Sequence, residues 1–340
     1  MVRMDEINVL ITMPFPEDLL ERLKALSPRI ELKVLPVKTP EELPDDVLEP
    51  IEVLYTSRVI PELEDMPNLR WIQLHNVSVH RVMEHPTMRS NIQVTTMSGV
   101  SAPAMAEYAL MAILGLGHRI HLMMKDKEEK RWAEDRIERF MPIELRESTV
   151  GIVGYGSVGR EVARLCHSFG AKIVATKADL KTLEDVGYAL EGRGDTKADL
   201  VERLYPPQAI ASMASLCDFL VVCVPITNET RGMLGEKVFK MMKPRSFLID
   251  ISSGGVVDHG ALVEALNEGR IAGVALDVYP VEPLPESSPL WEMPNVLLSP
   301  HVAGSSLQYY ELAIDCFTEN MKRYLSDQTL LNLYIAERGY

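Results

Sequence analysis

The chain has 340 residues, 46% hydrophobic and 25% charged, a globular composition that excludes a disordered or fibrous protein and predicts two domains of roughly 100–200 residues each. Its net charge of −14 excludes sequence-independent nucleic-acid binding, which needs surplus Lys and Arg, and leaves small molecules as expected partners. The apolar start is broken by Pro14 and Pro16 too early for a signal peptide, and no run of about 20 apolar residues follows to span a membrane, so the expected location is the cytoplasm.

In the first hundred residues, β-branched runs near Ile7–Met13, Ile30–Leu35, Glu52–Thr56, Leu69–Leu74 and Ile92–Thr96 alternate with helical stretches. That alternation predicts βα units around a mainly parallel sheet. A helical pattern starts after Ser101 and runs through Met124, with a polar segment beyond it. From Thr149 the order strand, Gly-rich turn, helix, strand restarts, with further strands at Phe219–Val224, Ser246–Ile251, Gly273–Val278 and Asn295–Leu298. A last helix, Leu307–Leu325, is expected to return to the first unit. The charged stretch between Asp179 and Pro206 exceeds an ordinary connection, and an exposed, partly helical insertion is expected there. Cys166, Cys217, Cys223 and Cys316 lack metal or redox spacing and read as buried free thiols, so no metal is expected.

Between an apolar strand and an amphipathic helix stand Gly154, Tyr155, Gly156, Ser157, Val158 and Gly159. Glycines at this spacing allow a tight turn, close approach of a pyrophosphate and close packing of helix on sheet, while the helix N-terminus faces the phosphates. Strand before and helix plus strand after make this a dinucleotide site rather than a plain turn. Thr176 and Lys177 end the next strand, about where an acid would bind the ribose hydroxyls of NAD. An ammonium there would attract a 2′-phosphate, so NADP is favoured over NAD. The competing reading is a solvated Lys177 with Asp179 at the ribose. Asp250 and Asp277 end apolar strands on the side where open α/β sheets bind ligands.

Five blocks, GVSAPAMAEYALMAIL, the glycine loop, Thr227–Gly232, FLIDISSGGVVDHGALVEAL and ALDVYPVEPLPESSPLWEMPNVLLSPHVAGSS, resemble in order and spacing the D-isomer-specific 2-hydroxyacid dehydrogenase family over nearly the whole chain. The resemblance implies two doubly wound parallel-sheet α/β domains. A Rossmann-like cofactor domain, 117–303, would be inserted in a discontinuous flavodoxin-like substrate domain, 1–116 and 304–340, with catalysis in the cleft between them and a homodimer as the assembly. The implied reaction is hydride transfer between a nicotinamide cofactor and a small 2-oxo acid or related carbonyl compound.

By the same resemblance His301 is the proton donor or acceptor and Glu282 the partner of its imidazole. A His near neutrality can trade a proton as hydride moves, and a carboxylate fixes its tautomer. Asp277 would contact the nicotinamide carboxamide, and Val224, Pro225 and Thr230 would border the cofactor. Thr227 and Arg231 either border the cofactor cleft or lie on plain surface. Backbone N–H groups of Val77 and Ser78 correspond to the turn that holds a substrate carboxylate, with His75, Asn76 and His80 as further substrate contacts or solvated loop residues.

The departure is at Ser253, where the family carries an Arg that grips that carboxylate. A hydroxyl has neither charge nor bidentate fork, and loss of such a group commonly costs about 10²–10³ in rate. Three explanations stand: another cation such as Arg119 or His118 reaches the site, the substrate lacks a carboxylate there, or catalysis has been lost. Two functions follow, an NAD(P)-dependent reductase and a dinucleotide-binding protein with little turnover that acts through a partner.

Overall fold

A computed structural model describes residues 6–79 and 81–336. The chain divides into two units, Met1–Val100 with Ser306–Tyr340, and Ser101–Ser305.

In the first unit β1 (Ile7–Ile11), β2 (Ile30–Val34), β3 (Val53–Thr56), β4 (Trp71–Leu74) and β5 (Gln93–Thr95) form one sheet in the order β2-β1-β3-β4-β5, with every pairing parallel. This is the flavodoxin-like order, reversing between β1 and β3. β3 and β4 are buried along their whole length, as a parallel sheet covered on both faces requires. The last helix, Tyr309–Leu325, belongs to this unit: its Phe317 ring meets Tyr55 at 4.9 Å and Trp71 at 5.2 Å between centroids.

In the second unit β6 (Thr149–Val153), β7 (Lys172–Thr176), β8 (Arg203–Tyr205), β9 (Phe219–Val222), β10 (Phe247–Asp250), β11 (Gly273–Leu276) and β12 (Val296–Leu298) take the order β12-β11-β10-β9-β6-β7-β8, again all parallel. The direction of build reverses between β6 and β9, so a crevice opens outside their carboxyl ends, where open α/β sheets bind ligands. One face packs Ile152, Val221, Ile249 and Ala275 against the helices Ala102–Gly117 and Ser157–Ser168. Small residues at helical spacing, Ala106, Ala109 and Ala112, let the first of these helices lie close, and all three are fully buried. The second unit therefore takes in a helix that the sequence reading assigns to the first.

Two local expectations are corrected. The long helical pattern is not continuous: Arg119 takes a left-handed conformation, φ 60°, and a new helix runs Ile120–Glu128. The stretch after Asp179 is neither helical nor merely exposed among the described residues. As far as β8 (Arg203–Tyr205) it is irregular chain folded onto the helix Ser157–Ser168, because the buried guanidinium of Arg160 needs acceptors and takes the carbonyls of Leu183, Asp195 and Thr196. A charge removed from water is tolerated only with such partners. No helix of the described residues is long and apolar enough to cross a membrane.

Candidate active site

The glycine loop leaves β6 and enters the helix Ser157–Ser168. Gly154 has φ 106°, and a Cβ there would lie 2.6 Å from Val224 Cγ1. A Cβ on Gly159 would lie 2.1 Å from the Gly154 carbonyl oxygen, whereas one on Gly156 would meet nothing within 4 Å. Two glycines thus allow tight packing and the third keeps open space beside the helix N-terminus, the room a pyrophosphate needs. Ser157 and Val158 form the first turn of that helix. The residues fit a dinucleotide.

Thr176 ties this loop to β7, since its hydroxyl accepts from Gly154 N–H at 3.1 Å and its carbonyl from Tyr155 N–H at 2.9 Å. Tyr155 turns its side chain inward, where its hydroxyl donates to Asp195 of the insertion. Its hydroxyl and its N–H are thus both engaged within the protein. Lys177 stands half-buried at the carboxyl end of β7, its ammonium pushed below the ordinary lysine range by burial and then by the Arg160 charge. The Asp179 carboxylate accepts from Lys181 N–H in its own turn. Val224 and Pro225 follow β9, and the Thr230 hydroxyl is used locally, donating to the Pro225 carbonyl at 2.7 Å and accepting from Thr227 N–H at 2.8 Å.

At the other end of the same rim His301 and Glu282 are brought together. His301 Nδ1 lies 2.9 Å from Glu282 Oε2, and Glu282 Oε1 accepts from Tyr279 N–H at 3.1 Å. With Nδ1–H donated to the carboxylate, Nε2 is the nitrogen left to give or take a proton. His301 itself sits at φ 55°, a conformation that costs a non-glycine residue about 1–3 kcal/mol and persists only where its surroundings enforce it.

Asp277 enforces it. Its carbonyl accepts from His301 N–H at 2.9 Å, Oδ1 from Ser299 Oγ at 2.6 Å and Val302 N–H at 2.8 Å, and Oδ2 from Ala303 N–H at 2.8 Å. The side chain read as a nicotinamide contact is thus foremost the clamp of the His301 loop. Tyr108 joins the group through Ser299, 2.6 Å between their oxygens. Tyr108 and Tyr279 lie inside two of the blocks that carry the family resemblance, but the sequence alone gives neither a role.

Asp250 ends β10 fully buried, and its Oδ1 accepts from Ser252 N–H at 3.0 Å. Burial pushes its carboxyl up to about 6. Asp250 Oδ2 and Ser252 Oγ lie buried without a partner of good geometry. The turn continues through exposed Ser253 to Gly254 and Gly255, φ 73° and 80°. A Cβ on Gly254 would lie 2.5 Å from the Tyr279 carbonyl oxygen, so this turn is pressed against the segment that leads to Glu282. Arg119 does not replace the missing Arg: its guanidinium lies 5.1 Å over the Phe247 ring, at the amino end of β10, the opposite end of the strand from Asp250. His118 precedes it at the same end.

In the first unit the loop after β4 is treated alone. Val77 and Ser78 are exposed. Asn76 Nδ2 donates to the Ser57 carbonyl at 3.1 Å. His75 is not a solvated loop residue: it is buried, 2.6 Å from the Tyr55 hydroxyl through Nδ1, and burial pushes it down to about 4. Phe15, Tyr309 and Tyr310 surround its ring. His80 lies outside the described residues.

A glycine-cradled dinucleotide crevice with an acid–base His–Glu pair on its rim defines a nicotinamide-dependent dehydrogenase class. Residues 110–303 match the model of the D-isomer specific 2-hydroxyacid dehydrogenase NAD binding domain. A glyoxylate reductase of Thermofilum pendens is 32% identical over 273 residues, 79% of this chain and 76% of the relative. A glyoxylate reductase of Thermococcus litoralis is 29% identical over 338 residues, 96% of each chain. The crystal structure of a D-isomer specific 2-hydroxyacid dehydrogenase from Xanthobacter autotrophicus Py2 in complex with NADPH and MES superposes with a TM-score of 0.78 at 24% identity, over 99% of this chain and 100% of that one. The chain belongs to the D-isomer specific 2-hydroxyacid dehydrogenase family. Its fold is that family's, and its reaction class is nicotinamide-dependent oxidation and reduction at a CH–OH carbon.

Proposed function

We propose that this chain is an NADPH-dependent reductase of a small 2-oxo acid, glyoxylate or hydroxypyruvate, giving the D-2-hydroxy acid where the product is chiral. The observation that carries this reading is the 2.9 Å pair of His301 Nδ1 and Glu282, since a protein that only binds a dinucleotide has no use for an oriented imidazole. When bound, the nicotinamide supplies the hydride to the carbonyl carbon. His301 Nε2 gives the proton to the carbonyl oxygen, and Glu282 holds the ring and stabilises its charged form. Asp277 fixes the loop so that no conformational search precedes proton transfer.

Gly154, Gly156 and Gly159, with the first turn at Ser157 and Val158, would hold the pyrophosphate, and Lys177 would take the 2′-phosphate. Two names among the relatives, both glyoxylate reductases, and NADPH in the Xanthobacter structure agree with that assignment. A homodimer is supported by exposed apolar side chains at Met111, Ile120, Met123, Met124, Trp132 and Met141, more than a solvated face ordinarily carries. A cytoplasmic location is supported by four free cysteines. Ser253 favours a second reading, a cofactor-binding protein that has given up turnover.

Initial rates of NADPH and NADH oxidation over a panel of 2-oxo acids test the first reading. Turnover with NADPH preferred is expected, and Lys177→Ala should raise the KM for NADPH about tenfold while leaving NADH unchanged. No oxidation with any acid leaves the second reading, and NADH preferred by the unmodified protein removes the role of Lys177. Light scattering should give twice the chain's 38.1 kDa, and a mass of one chain contradicts the dimer.

A further inference from the structure

We propose that Arg231 supplies the cation that Ser253 lacks, binding the carboxylate of the substrate from the neighbouring loop. The inference rests on the reductase reading and names how its substrate is held.

The loop 227–234 is laid against the turn after β10 by backbone bonds. Gly232 N–H donates to the Gly255 carbonyl at 2.9 Å, Leu234 N–H to Val256 at 3.3 Å, and Asp258 N–H returns to Leu234 at 3.0 Å. Arg231 N–H in turn donates to the Thr227 carbonyl at 3.1 Å, and the Thr227 and Thr230 hydroxyls close the same loop. This backbone fixes where the Arg231 side chain starts. Its Nη1 lies 3.7 Å from where a Cβ on Gly255 would stand, two residues along the turn from Ser253.

Arg231 is exposed, and among the described residues no hydrogen bond or ion pair engages its guanidinium. The turn it overlies touches Tyr279 through Gly254, and Tyr279 N–H binds the carboxylate that orients His301. The guanidinium therefore overlies the turn of Ser253, and that turn packs on the segment that leads to Glu282. Gly254 and Gly255 shape this turn, because a side chain at either φ would be strained. In a chain of net charge −14, an unpaired guanidinium on the carboxyl rim is also the group that draws a small anion against the general field. Its five donors in a fixed fork match a carboxylate bidentately, as a hydroxyl cannot.

Calorimetric titration of the NADPH-loaded protein with oxamate, a 2-oxo acid mimic that cannot accept hydride, reads this site without turnover. The unmodified protein should bind oxamate, and Arg231→Gln should weaken that binding at least about tenfold with NADPH affinity and melting temperature unchanged. Arg231→Lys should fall between them, and adding Ser253→Arg to Arg231→Gln should restore binding. Equal oxamate affinity in the unmodified protein and Arg231→Gln overturns the inference, as does the absence of oxamate binding to the unmodified protein. Arg231-dependent oxamate binding without turnover of any 2-oxo acid keeps this site and overturns the reductase reading instead.

Discussion

Two turns on the carboxyl rim of the second sheet differ in how their side chains are held. The loop of His301 is fixed from three directions, by the Asp277 carboxylate on Val302, Ala303 and Ser299, by the Asp277 carbonyl on His301 N–H, and by Glu282 on the imidazole. The turn of Ser253 is held through its backbone, by Gly232 on Gly255 and by Asp250 on Ser252, and presents no charged side chain of its own. Proton transfer demands a donor at a set distance and angle, so its residue is locked. Anion binding tolerates a cation delivered from a neighbouring loop, so its residue can move along the chain.

The largest expected effect breaks the locked side. His301→Asn removes the proton donor and should lower kcat for glyoxylate reduction about 10³-fold while NADPH binding, followed by fluorescence titration, stays within twofold. A kcat within tenfold of the unmodified protein would show that His301 is not the acid. Next comes the clamp: Asp277→Ala removes the acceptor of the Val302 and Ala303 N–H groups, and the buried one at Ala303 costs about 1–3 kcal/mol when left unpaired. Its kcat should fall about 10²-fold through a misplaced imidazole, and Asp277→Asn, which keeps one acceptor oxygen, should recover part of both kcat and stability. Unchanged kcat with lowered stability alone would reduce Asp277 to a purely structural role.

The third effect concerns the strand end beneath the freer turn and is one of stability. Burial raises the folded-state value of Asp250 from 3.8 to about 6, above its unfolded value, so its contribution is fully present below about pH 4 and is lost as pH rises through about 6. Asp250→Asn removes that loss. Its unfolding free energy from denaturant titration should equal the unmodified protein's near pH 4 and exceed it at pH 8 by on the order of 2–3 kcal/mol, two pKa units' worth. A difference independent of pH would contradict the buried charge.

Every strand but β8, and the glycine loop of the dinucleotide crevice, were legible in the sequence, because apolar strands, glycine spacing and helix periodicity are local signals; the doubly wound arrangement entered only through the family resemblance, and β8 lay inside the charged stretch after Asp179. His301 and Glu282 were legible through their motif blocks. The clamp was half legible, since Asp277 stood out as a strand-end acid, but its partners Ser299, Val302 and Ala303 emerge only when β11 and β12 lie side by side. The insertion misled for the same reason. Its charged residues look solvated in sequence, yet Asp195 meets Tyr155 and the carbonyl groups meet Arg160 only after folding. The sequence offered Arg119 as the replacement cation and gave Arg231 no such role; strand direction separates them, since one stands at the amino end of β10 and the other beside the turn at its carboxyl end.

The most direct test of the account is the initial rate of NADPH oxidation with glyoxylate for the unmodified protein and for Ser253→Arg, measured side by side. Ready turnover by the unmodified protein, changed less than about tenfold by the added Arg, is the result expected of a site in which Arg231 takes the place of the missing Arg. Turnover absent from the unmodified protein and restored by Ser253→Arg would contradict it, leaving a dehydrogenase scaffold that binds its cofactor and no longer reduces a 2-oxo acid.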